Sequence, residues 1–141
     1  MSMSRKVEGF MKLPESELEI MQIIWDLDRK GVEPIHTGVI YKDYSDVVGR
    51  LKLTTVLTLI TRLAAKGYIA IEKNGRFNSY KPKMDEDTYN KLAAADFVAT
   101  VYKNDTKSLL SALLGNGDIT EEDILELRAQ IKNGENSKTE E

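Results

Sequence analysis

The chain has 141 residues, a formal net charge of −3 and 41% hydrophobic residues, enough for one moderate core or two small ones. It contains no cysteine, which excludes a disulfide framework, a thiolate nucleophile and a cysteine-based metal site. No apolar run approaches the roughly 20 residues that cross a bilayer, and the start, MSMSRKVEGF, lacks the hydrophobic segment of a secretion signal. We therefore expect a cytoplasmic protein without membrane insertion.

The first part of the chain predicts two helices. The first begins near Pro14 and stops before Gly31. Proline suits a first helical turn, and the acidic residues that follow it favour the positive end of the helix dipole. The second helix begins at His36 or Thr37. The pattern leaves the course of residues 45–53 open, because this connection is longer than a tight turn requires.

Residues 53–80 are the most informative segment and predict a helix, a glycine stop and a β-hairpin. The helix is indicated by apolar residues at the i, i+3, i+4, i+7 spacing, namely Val56, Leu59, Ile60 and Leu63. Gly67 fits the left-handed position that ends a helix. Asn74 and Gly75 fit the positive φ angles of a tight hairpin turn. The fold class is therefore predicted as mainly α with a small β-hairpin wing, an N-terminal winged helix-turn-helix.

The face opposite the apolar stripe of this helix carries threonines and one arginine. A small, hydroxylated surface without carboxylates suits the major groove of double-stranded DNA. Residues 52–82 hold six lysines and arginines against one carboxylate, a net charge of +5, whereas residues 115–141 carry −5. The local potential near the hairpin favours phosphate, although both blocks are also consistent with ordinary solvated faces. The residues predicted to contact DNA are Lys52, Thr54, Thr55, Thr58, Arg62, Lys73 and Arg76.

The remaining chain predicts a C-terminal three-helix dimerisation region. The predicted domains are a flexible segment (1–12), the winged helix (13–84), the helical region (85–132) and a disordered tail (133–141). Three helices this short enclose little core, so they need a partner surface, and the simplest partner is a second copy. We expect a homodimer with contacts at Leu92, Phe97, Val101, Leu109, Leu113, Ile124 and Leu127.

No pattern in the sequence indicates an enzyme, a metal site or a cofactor. His36 is the only histidine, so a metal site or a Ser-His pair would depend on one side chain, and a helix-cap role is preferred. The acidic run over residues 118–123 fits a solvated helix cap better than a cation site.

Three segments resemble the penicillinase repressor family. They are LPESELEIMQIIWDL at 13–27, TVLTLITRLAAKGYI at 55–69, and LLSALL with DITEEDILELRAQI near the C-terminus, and the resemblance extends from residue 13 to residue 132. It implies a dimeric winged-helix transcriptional repressor. The DNA-binding domain would lie at the N-terminus, the C-terminal helices would interlock, and the operators would be inverted repeats upstream of the regulated gene.

The chain departs from the family's pattern at three functional points. Leu57 stands where family repressors of β-lactamase genes often have an arginine, and leucine makes no bidentate contact to guanine, so a different operator is expected. A membrane-bound sensor protease triggers cleavage of β-lactam-responsive members at an Asn-Phe bond. Ala112-Leu113 aligns there without the asparagine. A copper-sensing branch binds metal through cysteines, which this chain lacks.

Two other functions are compatible with the residues. One is a winged-helix protein-interaction module, which the acidic net charge favours and which predicts no salt-dependent DNA binding. The other is a small-molecule-sensing repressor whose C-terminal helices enclose a ligand, so that a compound would release the DNA.

Overall fold

The computed structural model describes the backbone of residues 9–48 and 50–139 and the side chains of residues 9–46 and 50–134. Its elements, in chain order, are α1 (Glu15–Arg29), α2 (Thr37–Asp43), α3 (Ser45–Val48), α4 (Leu53–Ala65), β1 (Ile69–Asn74), β2 (Phe77–Pro82), α5 (Glu86–Val101), α6 (Thr106–Gly115) and α7 (Glu121–Thr139). Short α3 lies in the connection whose course the sequence left open. The predicted fold class, mainly α with a hairpin wing, is confirmed.

The chain divides into two compact units, of which the first is Gly9–Ala94. In this unit α1 contacts α4 and β2, and α4 contacts β1. The side chains with the least exposure come from α1, α2, α4 and β1: Ile20, Met21, Ile24, Leu27, Ile40, Val56, Ile60, Leu63 and Ile69. The apolar stripe of α4 is therefore in the core, and the opposite face of α4 points to solvent.

Gly67 ends α4 in the predicted way. Its φ angle is +85°, its N–H bonds to the carbonyl of Ala64 at 3.0 Å, and the N–H of Tyr68 bonds to the carbonyl of Leu63 at 2.9 Å. This is the bond pattern of a Schellman motif, which requires a left-handed residue after the helix. The motif turns the chain directly into β1.

The hairpin is offset by one residue from the predicted turn. β1 and β2 pair antiparallel from Ile69–Pro82 to Asn74–Phe77, so the two turn residues are Gly75 and Arg76. Gly75 has φ +64°, and a glycine with positive φ at the first central position is the requirement of a type II′ turn. The prediction of positive φ at Asn74 was wrong, because Asn74 is the last residue of β1. Arg76 consequently lies at the tip of the wing.

The wing is tied to the start of α2. The N–H of Tyr80 donates to the carbonyl of Ile35 at 2.8 Å, and the Tyr80 hydroxyl lies 3.0 Å from Oγ1 of Thr37. Tyr80 is buried, so these bonds form inside the unit. They fix β2, and through the hairpin β1, to the helical part of the winged helix.

The first turns of α5 belong to the N-terminal unit. Tyr89 is buried, its hydroxyl accepts a hydrogen bond from the N–H of Leu13 at 2.9 Å, and its ring lies 5.6 Å from that of Trp25. The indole N–H of Trp25 donates to the carbonyl of Met84 at 2.8 Å. The compact unit therefore continues to Ala94, past the limit at residue 84 expected from sequence.

The second unit contains the rest of α5 with α6 and α7, and its helices have side-chain caps. Asp105 accepts from the N–H of Ser108 at 3.1 Å at the start of α6. Thr120 and Asp123 form a reciprocal capping box at α7, with bonds of 3.0 and 3.1 Å. Hydrogen bonds from the Thr120 backbone and hydroxyl lower the pKa of Asp123. The cap expected in the acidic run is confirmed.

Helix α7 continues to Thr139, whereas a disordered tail was expected over residues 133–141. The residues after 132 are polar but include no proline, so no residue in them forces the helix to stop. No helix within the described part of the chain has the length and apolar character needed to span a membrane.

Candidate nucleic-acid interface

The solvent face of α4 carries the predicted threonines. Thr54, Thr55 and Thr58 are exposed, as is Arg62, while the apolar stripe on the other side of the helix is buried. The prediction that these side chains point away from the core is confirmed. Their contact with DNA remains a prediction.

Two threonine hydroxyls on this face already donate hydrogen bonds within α4. Oγ1 of Thr58 donates to the carbonyl of Thr54, and Oγ1 of Thr61 donates to the carbonyl of Leu57, both at 2.9 Å. Each oxygen keeps acceptor capacity and each side chain keeps its methyl group, but the hydroxyl hydrogen is engaged. Thr58 therefore offers a base edge an acceptor and a methyl group rather than a donor.

Ion pairs separate the six cations of residues 52–82 into two groups. Lys66 pairs with Glu17 at 2.6 Å, and Lys81 lies 3.8 Å from Glu33 and 4.0 Å from Glu72. The other four form no ion pair with any residue of the described chain: Lys52, Arg62, Lys73 and Arg76. These four are the cations that the sequence predicted to contact DNA. We call them the interface cations.

The start of α4 is also suited to an anion. Lys52 occupies the N-cap position without a side-chain cap, and no acidic residue lies in the first turn. The positive end of the helix dipole therefore adds to the charge of Lys52 at this end of the interface.

His36 does not use its ring as a helix cap. It occupies the N-cap position of α2, but its side chain makes no capping hydrogen bond. The ring instead stacks on Phe77, with centroids 5.7 Å apart and planes at 27°. The ring of His36 thus supports the first residue of β2, which follows the wing turn. This stacking of Phe77 on His36 was not predicted from the sequence, and 66% of the Phe77 surface is exposed.

Comparison with known proteins identifies the family. The sequence model described as penicillinase repressor matches residues 13–133, most of the chain. The chain belongs to the penicillinase repressor family. It is 28% identical to a penicillinase repressor of Bacillus licheniformis over 129 residues, which cover 92% of this chain and 96% of that protein.

Two staphylococcal proteins match over similar lengths. The methicillin resistance regulatory protein MecI of Staphylococcus aureus strain N315 is 29% identical over 118 residues, covering 83% of this chain and 90% of MecI. A penicillinase repressor of Staphylococcus aureus is 30% identical over 118 residues, covering 84% of this chain and 89% of that protein. The family resemblance expected from the sequence is confirmed.

The C-terminal unit of this penicillinase repressor family member exposes most of its large apolar side chains. Four of the predicted dimer contacts have 43–57% of their surface exposed: Phe97, Val101, Ile124 and Leu127. Leu109 and Leu113 are partly buried. Leu92 is also partly buried but lies in the N-terminal unit. Four further exposed residues were absent from the predicted set, namely Leu110, Leu114, Leu125 and Ile131.

The bond Ala112–Leu113 lies inside α6, and both side chains are partly buried. Proteases cut preferentially where the backbone is exposed and locally unfolded. A protease that acts at this bond would therefore have to unwind α6 first.

Proposed function

We propose that the protein is a DNA-binding transcriptional repressor that acts as a homodimer on an inverted-repeat operator. The observation that supports this most directly is the solvent face of α4. This face contains no carboxylate. The four interface cations lie in the same unit and have no ion-pair partner in the described chain. A cationic surface without acidic groups is complementary to a phosphate backbone.

In this proposal α4 lies in the major groove and the wing lies on the phosphate backbone. Thr54, Thr55 and Thr58 face the base edges, because their side of α4 is exposed. Lys73 in β1 and Arg76 at the turn contact phosphate, which positions the domain without selecting sequence. Arg62, in the last turn of α4, contacts either phosphate or a base edge.

The homodimer is supported by the apolar surface of the C-terminal unit. Eight large hydrophobic residues between Phe97 and Ile131 each have 43–65% of their surface exposed. A concentration of exposed large apolar side chains marks an interaction surface, and a two-fold axis makes the same surface serve both copies. A two-fold symmetric dimer requires two half-sites in inverted orientation.

The test begins with a selection of random duplexes by the full-length protein. We expect an inverted repeat with half-sites about one helical turn or slightly more apart. Thr58→Glu should then lower affinity for the selected duplex by about 100-fold or more, since a like-charge contact costs several kcal/mol. Circular dichroism and sedimentation should be unchanged.

Asn90→Glu is the matched control, because it adds the same charge at an exposed position of α5 outside the proposed interface. It should bind the selected duplex nearly as well as the unmodified protein. Native affinity of Thr58→Glu would show that α4 does not contact the bases and would favour a protein-interaction module.

A further inference from the structure

The solvent face of α4 includes two parallel rows of side chains. Residues four apart are neighbours on a helix, so one row is Leu53, Leu57 and Thr61, and the other is Thr54, Thr58 and Arg62. Leu53 is 53% exposed and Leu57 is 39% exposed, although the core side of α4 is buried. The first row, which we call the leucine row, is therefore an apolar strip on the face proposed to enter the major groove.

The leucine row has no hydrogen-bond donor to offer a base. The leucines have none, and the hydroxyl of Thr61 donates to the carbonyl of Leu57. In the major groove guanine presents two acceptors, N7 and O6, which require donors. Thymine presents a 5-methyl group beside its O4 acceptor. The chemistry of the row is complementary to the thymine methyl and unsuited to guanine.

The surroundings of the leucine row favour DNA over an apolar protein partner. No acidic residue lies anywhere in α4, and Lys52 and Arg62 belong to the interface cations. An apolar strip bordered by lysine and arginine matches a surface that combines methyl groups with phosphates, as the major groove of a thymine-containing duplex does.

We propose that the leucine row selects thymine in each operator half-site by packing on the 5-methyl group, with Leu57 as the main contact. Leu57 is the middle residue of the row, one helical turn from both Leu53 and Thr61. This inference rests on the proposed function, because it requires α4 to lie in the major groove. It names Leu57 as the residue that determines specificity at that base pair.

The experiment replaces thymines of the selected duplex one at a time with deoxyuridine, which removes only the 5-methyl group. Binding of the full-length protein is measured by fluorescence anisotropy. At one or two positions in each half-site we expect a loss of about four-fold in affinity, the effect of exposing one buried methyl group. Leu57→Ala should bind thymine and deoxyuridine duplexes equally at the main position.

Lys73→Ala is the matched control. It should weaken binding to both duplexes by the same factor and keep their ratio, because a phosphate contact does not sense the methyl group. Leu57→Arg should transfer the preference at that base pair from thymine to guanine, since arginine donates to both guanine acceptors.

The outcomes separate this inference from the proposed function. Equal affinity for thymine and deoxyuridine at every position, with retained preference for the selected duplex, would overturn the role of the leucine row alone. Failure to distinguish the selected duplex from random DNA would overturn both. Thymine sensitivity that survives in Leu57→Ala would assign the methyl contact to another residue.

Discussion

Glu17 is the only charged side chain that is buried in the described part of the chain, with 3% of its surface exposed. A carboxylate in the protein interior is costly unless it is paired. Its partner is the ammonium group of Lys66, at 2.6 Å, whose side chain is 32% exposed. Because Glu17 is in α1 and Lys66 follows the end of α4, this pair holds the end of the proposed DNA-binding helix against the core.

Lys66→Met should lower the free energy of unfolding by about 1–3 kcal/mol, because it leaves the Glu17 carboxylate buried without a partner. The partial exposure of Lys66 keeps the loss below that of a fully buried pair. Urea denaturation at pH 7 measures the effect. Lys30→Met is the control, since Lys30 pairs with Asp26 at 3.0 Å but is 63% exposed, and it should cost about 1 kcal/mol or less. Equal losses in the two variants would contradict the role of the buried pair.

The wing is the element whose charges should act on every DNA sequence alike. Lys73→Ala or Arg76→Ala should weaken binding to selected and random duplexes by the same factor. Each should also lower the slope of log affinity against log salt by about one unit, since one phosphate contact is lost. The measurement is anisotropy over a series of salt concentrations.

Lys81→Ala provides the control for the wing. Lys81 lies on β2 but is near Glu33 and Glu72, so its removal should change the salt slope less. A loss of selectivity at unchanged slope in Lys73→Ala or Arg76→Ala would instead assign a base contact to the wing.

The elements that the sequence predicted are those specified by local patterns. The spacing of apolar residues in α4 and the glycine at 67 act within one or two helical turns, so the helix, its stop and its exposed face were predicted correctly. The turn was offset by one residue, because Asn-Gly also suits a type I′ turn centred on those two residues. The final pairing places Asn74 in β1, where its side chain donates to Ser79 at 2.6 Å.

Features that depend on distant residues were not predictable in this way. Tyr89 joins the N-terminal core through Leu13, 76 residues away in sequence, whereas it falls within the helical region predicted for residues 85–132. The division of the cations depends in the same way on Glu17 and Glu33, which lie far from Lys66 and Lys81 in the chain. The residues proposed to contact DNA were chosen from the sequence by side-chain type, whereas the pairing of Lys66 and Lys81 with carboxylates could be found only from the fold.

At the scale of the whole molecule, the two units differ in how they bury apolar surface. Among the residues whose side chains the structure describes, all buried hydrophobic residues except Ala99 lie in Gly9–Ala94, whereas the described part of the second unit exposes eight large apolar side chains. Ile124, Leu127 and Ile131 are three and four residues apart and form one face of α7. A unit of this composition needs a partner for its apolar face, and in the proposed homodimer a second copy covers it with matching chemistry.

Leu127→Asp should therefore convert the dimer to a monomer at micromolar concentration. Each copy loses about 2 kcal/mol of apolar burial, so the dimer loses about 4 kcal/mol and its dissociation constant rises by roughly 700-fold. Sedimentation velocity measures the change. Asn133→Asp is the matched control, because it adds the same charge at an exposed position of α7 that is not three or four residues from Leu125, Leu127 or Ile131, and it should remain dimeric. The monomer should bind the inverted repeat more weakly and with about half the salt slope, since it occupies one half-site. An unmodified protein that sediments as a monomer at micromolar concentration would contradict the dimer. A Leu127→Asp variant that stays dimeric would show that this face of α7 does not form the dimer contact.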